Sequence, residues 1–266
     1  MGLAVCATPI GNLEDVTLRL LDELRAADVV LAEDTRRTRI LLDRHGIEAR
    51  LLSYHEHNEA RRVAELLPRL EAGERIALVS DAGMPLVSDP GARLVRAALD
   101  AGVPVTVIPG PSAVETALVS SGLAADRYLF VGFLPRAARA LEELWRESAA
   151  WGAVLVAFEA PTRLPATLRS LAAVSPGRPV AVCRELTKAF EEIVRGTAAE
   201  VATRFDHPPK GEITLVVGAV AAEQDLGAAR EAVAELVAAG APRRIAAEVV
   251  ARLTDASRND LYRSTL

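Results

Sequence analysis

The sequence has 266 residues, of which 50% are hydrophobic and 25% charged, and its formal net charge at pH 7 is −5. These values are typical of a globular protein with one large or two modest domains, and they exclude an intrinsically disordered chain. No apolar run reaches the roughly 18–20 residues of a membrane-spanning helix, and the N-terminus lacks the basic segment and the length of a signal peptide. We therefore expect a cytoplasmic protein with no membrane partner.

The basic residues are almost all arginine, since Lys188 and Lys210 are the two lysines among 31 basic residues. In such a composition each lysine is a candidate for a position that requires a compact ammonium group. Cys6 and Cys183 lie in apolar runs and are predicted to be core residues without a disulfide. The four histidines are scattered and no Cys-x-x-Cys motif is present, so the sequence predicts no metal site.

In the first half of the sequence, short apolar runs alternate with amphipathic segments. We predict strands at Leu3–Ala7, Val29–Ala32, Leu51–Tyr54, Ile76–Ser80 and Val103–Ile108. We predict helices at residues 13–24 (capped by Asn12, with Glu14 and Asp15 in the first turn), Thr35–His45, Glu59–Glu71 and Pro90–Ala101, and a further helix that begins at Pro111-Ser112. This alternation predicts a parallel sheet covered by helices on both faces.

The second half continues in a looser form. The β-rich runs are Tyr128–Phe133, Val154–Phe158, Val180–Cys183 and Ile213–Val220, and the helical stretches are Ala138–Ala150, Pro165–Val174 and Ala198–Phe205. Three more helices are predicted at Ala228–Ala239, Arg243–Leu253 and Arg258–Leu266. The predicted fold class is therefore α/β, with α/β domains at residues 1–121 and 122–226 and a small helical tail at residues 227–266.

Four loops that follow predicted strands are rich in glycine, proline and small polar residues: Thr8–Asn12, Ser80–Pro85, Pro109–Ser112 and Gly132–Pro135. Ligands of parallel α/β sheets bind beyond the carboxyl ends of the strands, and we expect all four loops on that side of one parallel sheet. Glycine lets the backbone approach a ligand closely. No dinucleotide fingerprint and no P-loop is present, so these loops favour a nucleoside-like ligand that is not held through a diphosphate.

Charged residues are concentrated after the second predicted strand. Glu33 and Asp34 are predicted to be carboxylates at the mouth of a cleft, able to accept a proton or to hold a substrate hydroxyl, while Asp34 also suits a helix N-cap. The segment Arg36–Arg50 has five arginines against two carboxylates, and Arg243–Leu266 has five against three. A net acidic chain can therefore still present basic patches to phosphate. His55 is predicted to line the cleft rather than to bind a metal.

The loops and charged segments together resemble the bacterial ribosomal small-subunit RNA methyltransferase I family, within the tetrapyrrole-methylase-like (class III) methyltransferases. The matching segments occur in the same order and spacing almost from end to end. They are Thr8–Leu13, Ala32–Arg36, Ser80–Gly83 with Pro85, Asp89–Gly91, Pro109–Pro111, Gly132–Pro135, Arg184–Lys188 and Lys210–Glu212.

This resemblance implies a homodimer of the tetrapyrrole methylase fold that uses S-adenosylmethionine, bound in the cleft between the two domains. The implied reaction is methylation of the ribose 2′-hydroxyl of a cytidine in the decoding region of 16S rRNA, with either naked 16S rRNA or the assembled 30S ribosomal subunit as the acceptor. The implied cofactor residues are Pro9, Asp81, Ala82, Gly83, Pro111, Ser112, Phe133, Leu134, Gly211, Glu212 and Ile213. The implied substrate contacts are Arg36, Arg37, His55, Arg184 and Lys210.

For catalysis we hypothesise that Asp34 or Glu33 accepts the hydroxyl proton, and that Lys188 or Arg36 grips an adjacent phosphate. Three segments depart from the family pattern. Met84 replaces an expected threonine, the segment Phe158–Arg163 is shortened, and few basic residues follow Arg136. The first departure affects the details of cofactor contact, and the other two affect RNA contact.

The alternatives are a tetrapyrrole-type small-molecule methyltransferase of the same fold and a non-catalytic RNA-binding assembly factor. The arginine-rich segment argues against the first, and the intact glycine loops argue against the second. A nucleotide-dependent oxidoreductase is opposed by the missing dinucleotide fingerprint.

Overall fold

The computed structural model describes residues 2–123, 126–220, 226–254 and 256–263. The chain divides into two compact units, one formed by Met1–Arg146 with Ala153–Gly218 and the other by Glu147–Gly152 with Ala219–Leu266. The first unit contains both sheets. The domain boundaries predicted at residues 121 and 226 stay predictions. No helix in the described ranges is long and apolar enough to cross a membrane.

The first sheet has five strands, and all are parallel, as the alternating sequence pattern predicted. Their order is β3-β2-β4-β1-β5. The strands are β1 (Leu3–Cys6), β2 (Val29–Ala32), β3 (Leu51–Ser53), β4 (Ile76–Val79) and β5 (Val105–Ile108). The connecting helices are α1 (Leu18–Ala26), α2 (Thr35–Arg44), α3 (Glu59–Glu71) and α4 (Ala92–Asp100). Strands β1, β2 and β4 are buried along their whole length, which is typical of a parallel sheet covered on both faces.

Alternate residues of the central strands enter two separate cores. Leu3 and Val5 pack on one face with Leu66 of α3 and Leu94 of α4. Ala4 and Cys6 point to the other face, where they pack with residues of α1 and α2. Because side chains alternate along a strand, the helices on both faces are fixed by a single register of the sheet.

The predicted start of the first helix is wrong. The helix begins at Leu18, where the hydroxyl of Thr17 accepts a hydrogen bond from the amide of Leu20 at 3.1 Å. Asn12 instead closes a local turn, since its side-chain oxygen accepts from the amide of Glu14 at 3.1 Å. Both residue types cap helices, and the spacing of apolar residues alone does not decide between a turn and a cap. Glu14 and Asp15 therefore precede the helix.

The second sheet is mixed, with strands in the order β6-β7-β10-β8-β9, and β6 and β7 are its parallel pair. Its strands are β6 (Tyr128–Phe133), β7 (Val154–Glu159), β8 (Pro179–Arg184), β9 (Glu192–Thr197) and β10 (Ile213–Val217). The helices of this half are α5 (Ala113–Ser121), α6 (Ala138–Ala150), α7 (Leu164–Val174) and α8 (Ala198–Arg204). Sequence reasoning missed β9, a half-exposed edge strand in which the apolar alternation is weak.

Helix α5 packs on the second sheet. Its residues Val114, Ala117 and Leu118 share a buried cluster with strand residues that include Val156 and Cys183. Cys6 and Cys183 are both buried free thiols, as predicted. Burial raises the pKa of Cys6 to about 12 and that of Cys183 to about 11, so both thiols remain neutral in the core.

The C-terminal unit contains three helices, α9 (Leu226–Ala238), α10 (Arg243–Thr254) and α11 (Arg258–Arg263). They pack around a small apolar cluster that includes Val233, Val250 and Leu261. The last three residues of the helix predicted at Arg258–Leu266 lie outside the described part of the chain. The five arginines of the segment Arg243–Leu266 are all exposed.

The buried carboxylate of Glu59 joins three elements of the first sheet. It accepts hydrogen bonds from the hydroxyl of Tyr54 at 3.0 Å, the amide of Gly91 at 3.1 Å and the amide of Arg93 at 3.4 Å. The end of β3 and the start of α3 are thereby tied to the loop that leads into α4. Burial and this carboxylate together raise the pKa of Tyr54.

We predict that Glu59→Ala lowers the free energy of unfolding by about 2–4 kcal/mol, because the Tyr54 hydroxyl and the Gly91 amide would lose their acceptor. Glu65→Ala is the matched control, since Glu65 lies on the same helix in an exposed pair with Arg62, and it should cost about 0.5 kcal/mol or less. Urea unfolding measures both. Equal losses in the two variants would contradict the role given to Glu59.

Candidate active site

Three of the four predicted loops meet at one edge of the first sheet. They follow β4, β1 and β5, which are neighbours in the sheet. Thr8 and Gly83 exchange two backbone hydrogen bonds, at 2.9 and 3.1 Å, and the hydroxyl of Thr8 donates to the carbonyl of Ser80 at 3.1 Å. Gly83 has φ +77°, a conformation that favours glycine. These hydrogen bonds therefore hold the first two loops together.

The expected position of the fourth loop is wrong. Gly132–Pro135 follows β6, which belongs to the second sheet and not to the parallel one. The loop nevertheless reaches the same place, because Phe133 lines a cavity together with residues of the first three loops. This cavity has a volume of about 540 Å³, within the usual range for small-molecule sites.

The cavity brings together nine of the sequence-predicted site residues: Arg37, Asp81, Ala82, Gly83, Ser112, Phe133, Gly211, Glu212 and Ile213. Three more predicted residues, Pro9, Pro111 and Leu134, are chain neighbours of the lining. The predicted residues Glu33, Asp34, Arg36, His55, Arg184, Lys188 and Lys210 also lie outside the lining.

Sequence reasoning missed the remaining lining residues as site residues: Ile10, Met84, Val87, Ser88, Asp89, Ala113, Val114, Phe158, Glu159, Ala160, Pro161, Cys183, Leu186 and Thr214. Several of them belong to motifs that the sequence did show, notably Asp89–Gly91 and Phe158–Arg163. Met84, which replaces an expected threonine, also packs against the core of the first sheet.

Charged side chains form a continuous chain of hydrogen bonds and ion pairs along one side of the cavity. The amide of Asp34 donates to the carboxylate of Asp81 at 2.9 Å, and the other oxygen of Asp81 lies 3.7 Å from Nε of Arg37. Nη1 of Arg37 lies 3.9 Å from Glu212, whose second oxygen is 2.9 Å from Nζ of Lys188. The chain of ion pairs connects the ends of β2 and β4 in the first sheet to β10 in the second.

Lys188 occupies the end of this chain in a tightly packed corner. Its ammonium also donates to Glu185 at 3.0 Å, and Glu185 accepts from the amide of Glu212 at 2.8 Å. Burial lowers the pKa of Lys188, but the hydrogen bonds to Glu212 and Glu185 outweigh burial, so its pKa is raised. One of the two lysines thus serves as a compact cation shared by two carboxylates, a geometry that suits lysine.

Glycine permits the close approach of two loops beside Lys188. A Cβ on Gly11 would lie 2.5 Å from Cγ of Lys188, 2.7 Å from the hydroxyl of Thr187 and 2.8 Å from the carbonyl of Leu186. The amide of Asn12 donates to that same Thr187 hydroxyl at 3.0 Å. The first loop of the parallel sheet is therefore held against the segment after β8.

The two carboxylates predicted for proton transfer have opposite surroundings. Asp34 is the N-cap of α2, as predicted, and its oxygens accept from Nε and Nη2 of Arg36 at 3.0 and 2.7 Å. The hydrogen bond from Arg36 holds the pKa of Asp34 at about 2. Burial and the nearby charge of Asp81 raise the pKa of Glu33. The catalytic roles of Asp34, Glu33 and Lys188 stay predictions.

The arginines of the segment Arg36–Arg50 meet carboxylates from elsewhere in the chain. Arg37 lies between Asp81 and Glu212, and Nε of Arg44 donates to Glu14 at 2.7 Å. These carboxylates therefore offset part of the excess positive charge counted along the sequence. Arg39 remains exposed on the same helix.

Two other predicted substrate residues, Arg184 and Lys210, are chain neighbours of the lining residues Cys183 and Gly211. Arg184 donates to Glu192 at 3.0 Å and to the backbone carbonyl of Lys210 at 3.1 Å. His55 is half-buried after β3, and its Nδ1 has no hydrogen-bond partner among the described residues.

The shortened segment Phe158–Arg163 supports the wall of the cavity. The guanidinium of Arg163 donates to the carbonyl of Leu134 at 3.2 Å and to that of Pro135 at 2.6 Å. Glu159 is fully buried and accepts from the hydroxyl of Thr167 at 2.5 Å. Leu134 thus helps to hold the loop that carries Phe133 without lining the cavity itself.

Known proteins match this chain over most of its length. The family described as Tetrapyrrole (Corrin/Porphyrin) Methylases matches residues 2–202. The chain is 46% identical to the ribosomal RNA small subunit methyltransferase I of Mesorhizobium japonicum, over 99% of this chain and 91% of that protein. It is 45% identical to the Thermotoga maritima protein of the same name, over 81% of this chain and 97% of that protein.

The chain belongs to the ribosomal RNA small subunit methyltransferase I family. The resemblance seen in the sequence motifs is thereby confirmed, and family membership makes the chain a methyltransferase. The Escherichia coli O157:H7 member is 40% identical over 99% of this chain and 94% of that protein.

Solved structures confirm the tetrapyrrole methylase fold. A uroporphyrin-III C-methyl transferase from Thermus thermophilus, complexed with S-adenyl homocysteine, has a TM-score of 0.58 and 22% identity over 83% of this chain and 98% of that chain. A diphthine synthase has a TM-score of 0.64 and 15% identity over 81% of this chain and 89% of that chain. These likenesses concern the fold alone.

We predict that Gly11→Ala lowers the free energy of unfolding by about 1–3 kcal/mol, because its methyl group would overlap the carbonyl of Leu186 and the side chains beside it. Gly177→Ala is the control, since a Cβ there meets nothing within 4 Å. Thermal and urea unfolding of both variants measure the effect. Stability loss in the control alone would contradict the proposed close contact.

Proposed function

We propose that this protein transfers a methyl group from S-adenosylmethionine to the ribose 2′-hydroxyl of a cytidine in the decoding region of 16S rRNA. The observation that carries the proposal is that the motif loops of the family, far apart in the sequence, meet around one cavity of about 540 Å³. We further propose that the protein works in the cytoplasm as a homodimer and acts on the 30S subunit.

The cavity fits the cofactor by size and by the chemistry of its walls. Phe133, Phe158 and Ile10 provide apolar surface, while Asp81 and Ser112 provide polar atoms within it. A site with mostly apolar walls and a few placed polar groups suits a nucleoside attached to an amino acid. Pro9, Pro111, Leu134 and the lining residues predicted from the sequence are proposed to form this cofactor shell. The bound cofactor supplies a methyl group on a positively charged sulfur.

The protein contributes mainly by positioning. Transfer to a hydroxyl requires the methyl carbon in line with the attacking oxygen, and a fixed geometry lowers the barrier by removing the entropy cost of that alignment. The ion pairs from Asp81 through Arg37 and Glu212 to Lys188 hold loops of both sheets around the cavity. We propose that Lys188 acts through this arrangement.

RNA contact is assigned to the exposed arginines and to the polar residues near the cavity. Arg36, Arg37, His55, Arg184 and Lys210 are proposed to face the substrate. The exposed arginines of the C-terminal unit add further positive charge for phosphate. Much of the affinity should therefore depend on salt concentration.

The decisive experiment uses 30S subunits from a strain that lacks the ribose methylation. Incubation with this protein and S-adenosylmethionine should create a reverse-transcription stop at low dNTP concentration, at one cytidine of the decoding region. Naked 16S rRNA serves as the second substrate. A protein that binds the cofactor but leaves both RNAs unmethylated would overturn the proposed function.

We predict that Phe133→Ala weakens S-adenosylhomocysteine binding by about tenfold or more, since it removes an aromatic wall of the cavity that packs against Phe158 at a ring distance of 5.6 Å. Phe190→Ala is the matched control because Phe190 is 76% exposed and does not line the cavity. Calorimetry on both variants measures the affinity. Equal affinities would show that the cofactor binds elsewhere.

Asp34 can be tested separately as a cap and as a base. Asp34→Asn keeps an oxygen that caps α2, whereas Asp34→Ala removes it and should cost about 1 kcal/mol of stability. If Asp34 acts only through the cap, the Asn variant should retain most of the methylation rate. A large loss of rate in the Asn variant, with unchanged cofactor affinity, would instead support proton transfer to Asp34. Single-turnover methylation and urea unfolding separate the two roles.

A further inference from the structure

Among the described residues, four carboxylates line the cavity, and three of them already take part in hydrogen bonds or ion pairs. Asp81 accepts from the amide of Asp34 and lies beside Arg37, and Glu212 is paired with Lys188. Glu159 is fully buried and accepts hydrogen bonds from the hydroxyl of Thr167 and the amide of Ala160. Each of these three carboxylates already takes part in a hydrogen bond or an ion pair, so protonation would weaken a contact that holds the fold.

The fourth carboxylate, Asp89, is open to the cavity. It is half-buried, it lines the cavity, and within the described ranges its carboxylate has neither a hydrogen bond nor an ion pair. The backbone on either side of Asp89 has unusual φ values. Ser88 has φ +66°, and Gly91, at φ +135°, donates its amide to the buried Glu59. Strained backbone of this kind persists where the surrounding structure fixes it, and it is frequent at functional sites.

The charges around Asp89 come from several elements. Glu33 after β2 and Asp81 after β4 are the acidic groups that act on it, and burial together with their charges raises its pKa to about 7. Arg37 of α2 faces Asp81, and His55 lies close enough to Glu33 to oppose part of the rise in the pKa of that carboxyl. On the α4 side, the side chain of Arg93 is drawn to Glu59 at 3.5 Å.

We propose that Asp89 is the catalytic base of this protein, the group that takes the proton from the acceptor hydroxyl. The inference rests on the proposed methylation of a ribose 2′-hydroxyl. The hydroxyl oxygen forms the new bond to the methyl carbon and displaces the sulfur of S-adenosylhomocysteine, which keeps the electron pair of the broken bond. The hydroxyl proton moves to a carboxylate oxygen of Asp89, and solvent removes it after product release.

The surroundings suit this task better than those of the two carboxylates proposed from the sequence. Asp34 is bound by two nitrogens of Arg36, so accepting a proton would break that pair. Glu33 does not line the cavity; its negative charge instead increases the proton affinity of Asp89. A base whose pKa lies near the working pH combines a useful ionised fraction with a strong tendency to accept the proton.

The first test measures Asp89 directly in the free protein. Carbon-13 NMR of labelled aspartate carboxyls should show one resonance that titrates near pH 7 in the wild type and is missing in Asp89→Asn. In Glu33→Gln this resonance should titrate at lower pH, because a neighbouring negative charge has been removed. Titration of every aspartate below about pH 5 would overturn the proposal, since Asp89 would then be a weak base.

The second test follows single-turnover methylation of 30S subunits. In the wild type the rate should rise with pH as Asp89 ionises and then level off, with a midpoint at or below about 7, since a bound sulfonium favours the ionised form. Asp89→Asn should lower the plateau rate by about 10²–10⁴-fold and remove this pH dependence. Asp89→Glu, which keeps a carboxylate, should retain the pH dependence at a reduced rate.

Controls separate catalysis from binding and folding. Asp100→Asn, at the exposed end of α4 where Asp100 pairs with Arg96, should leave the rate unchanged. S-adenosylhomocysteine, which lacks the sulfonium charge, should bind Asp89→Asn with wild-type affinity. A parallel loss of that affinity, or an Asn variant that keeps the rate and its pH dependence, would overturn the role of Asp89. Absence of methylation by the wild type would instead overturn the proposed function.

Discussion

The structure depends on the close approach of loops that belong to two separate sheets. Gly11 brings the loop after β1 within van der Waals distance of Lys188, which follows β8 of the second sheet. Within the second sheet, Gly211 brings the start of β10 equally close to Glu185 after β8. At both positions a Cβ would lie 2.5 Å from the neighbouring side chain. Because these contacts leave no room for a side chain, glycine at both positions permits the close packing around Lys188 and Glu185.

This constraint explains why residues from so many distant parts of the chain line one cavity. Neighbouring parallel strands place three loops at one edge of the first sheet, and the contacts beside Lys188 bring the second sheet to the same edge. Polar groups needed to hold the loops are satisfied by one another, as Asp81, Arg37 and Glu212 show. Asp89 is the exception among the lining carboxylates, and an open carboxylate in an otherwise satisfied site is a candidate for chemistry.

Most secondary structure followed from local patterns. The parallel sheet, the cap of α2 by Asp34 and the burial of both cysteines were predicted correctly, because apolar periodicity and capping preferences act over a few residues. The start of α1 and the edge strand β9 were not. Asn12 and Thr17 compete for the same capping role, and β9 owes its place to hydrogen bonds with β8 rather than to its own hydrophobicity.

The sequence by itself determined the family and the loops that surround the cavity. It also marked the two lysines among 31 basic residues as candidate functional residues. It did so because motifs of glycine, proline and acidic residues have a fixed order and spacing. Only the tertiary structure decided which charged side chains take part in ion pairs or hydrogen bonds. Arg37 is paired and Asp34 is bound by Arg36, while Asp89 is left open. The partners of Arg37 lie far from it along the chain, so counting charges within a segment cannot show this pairing.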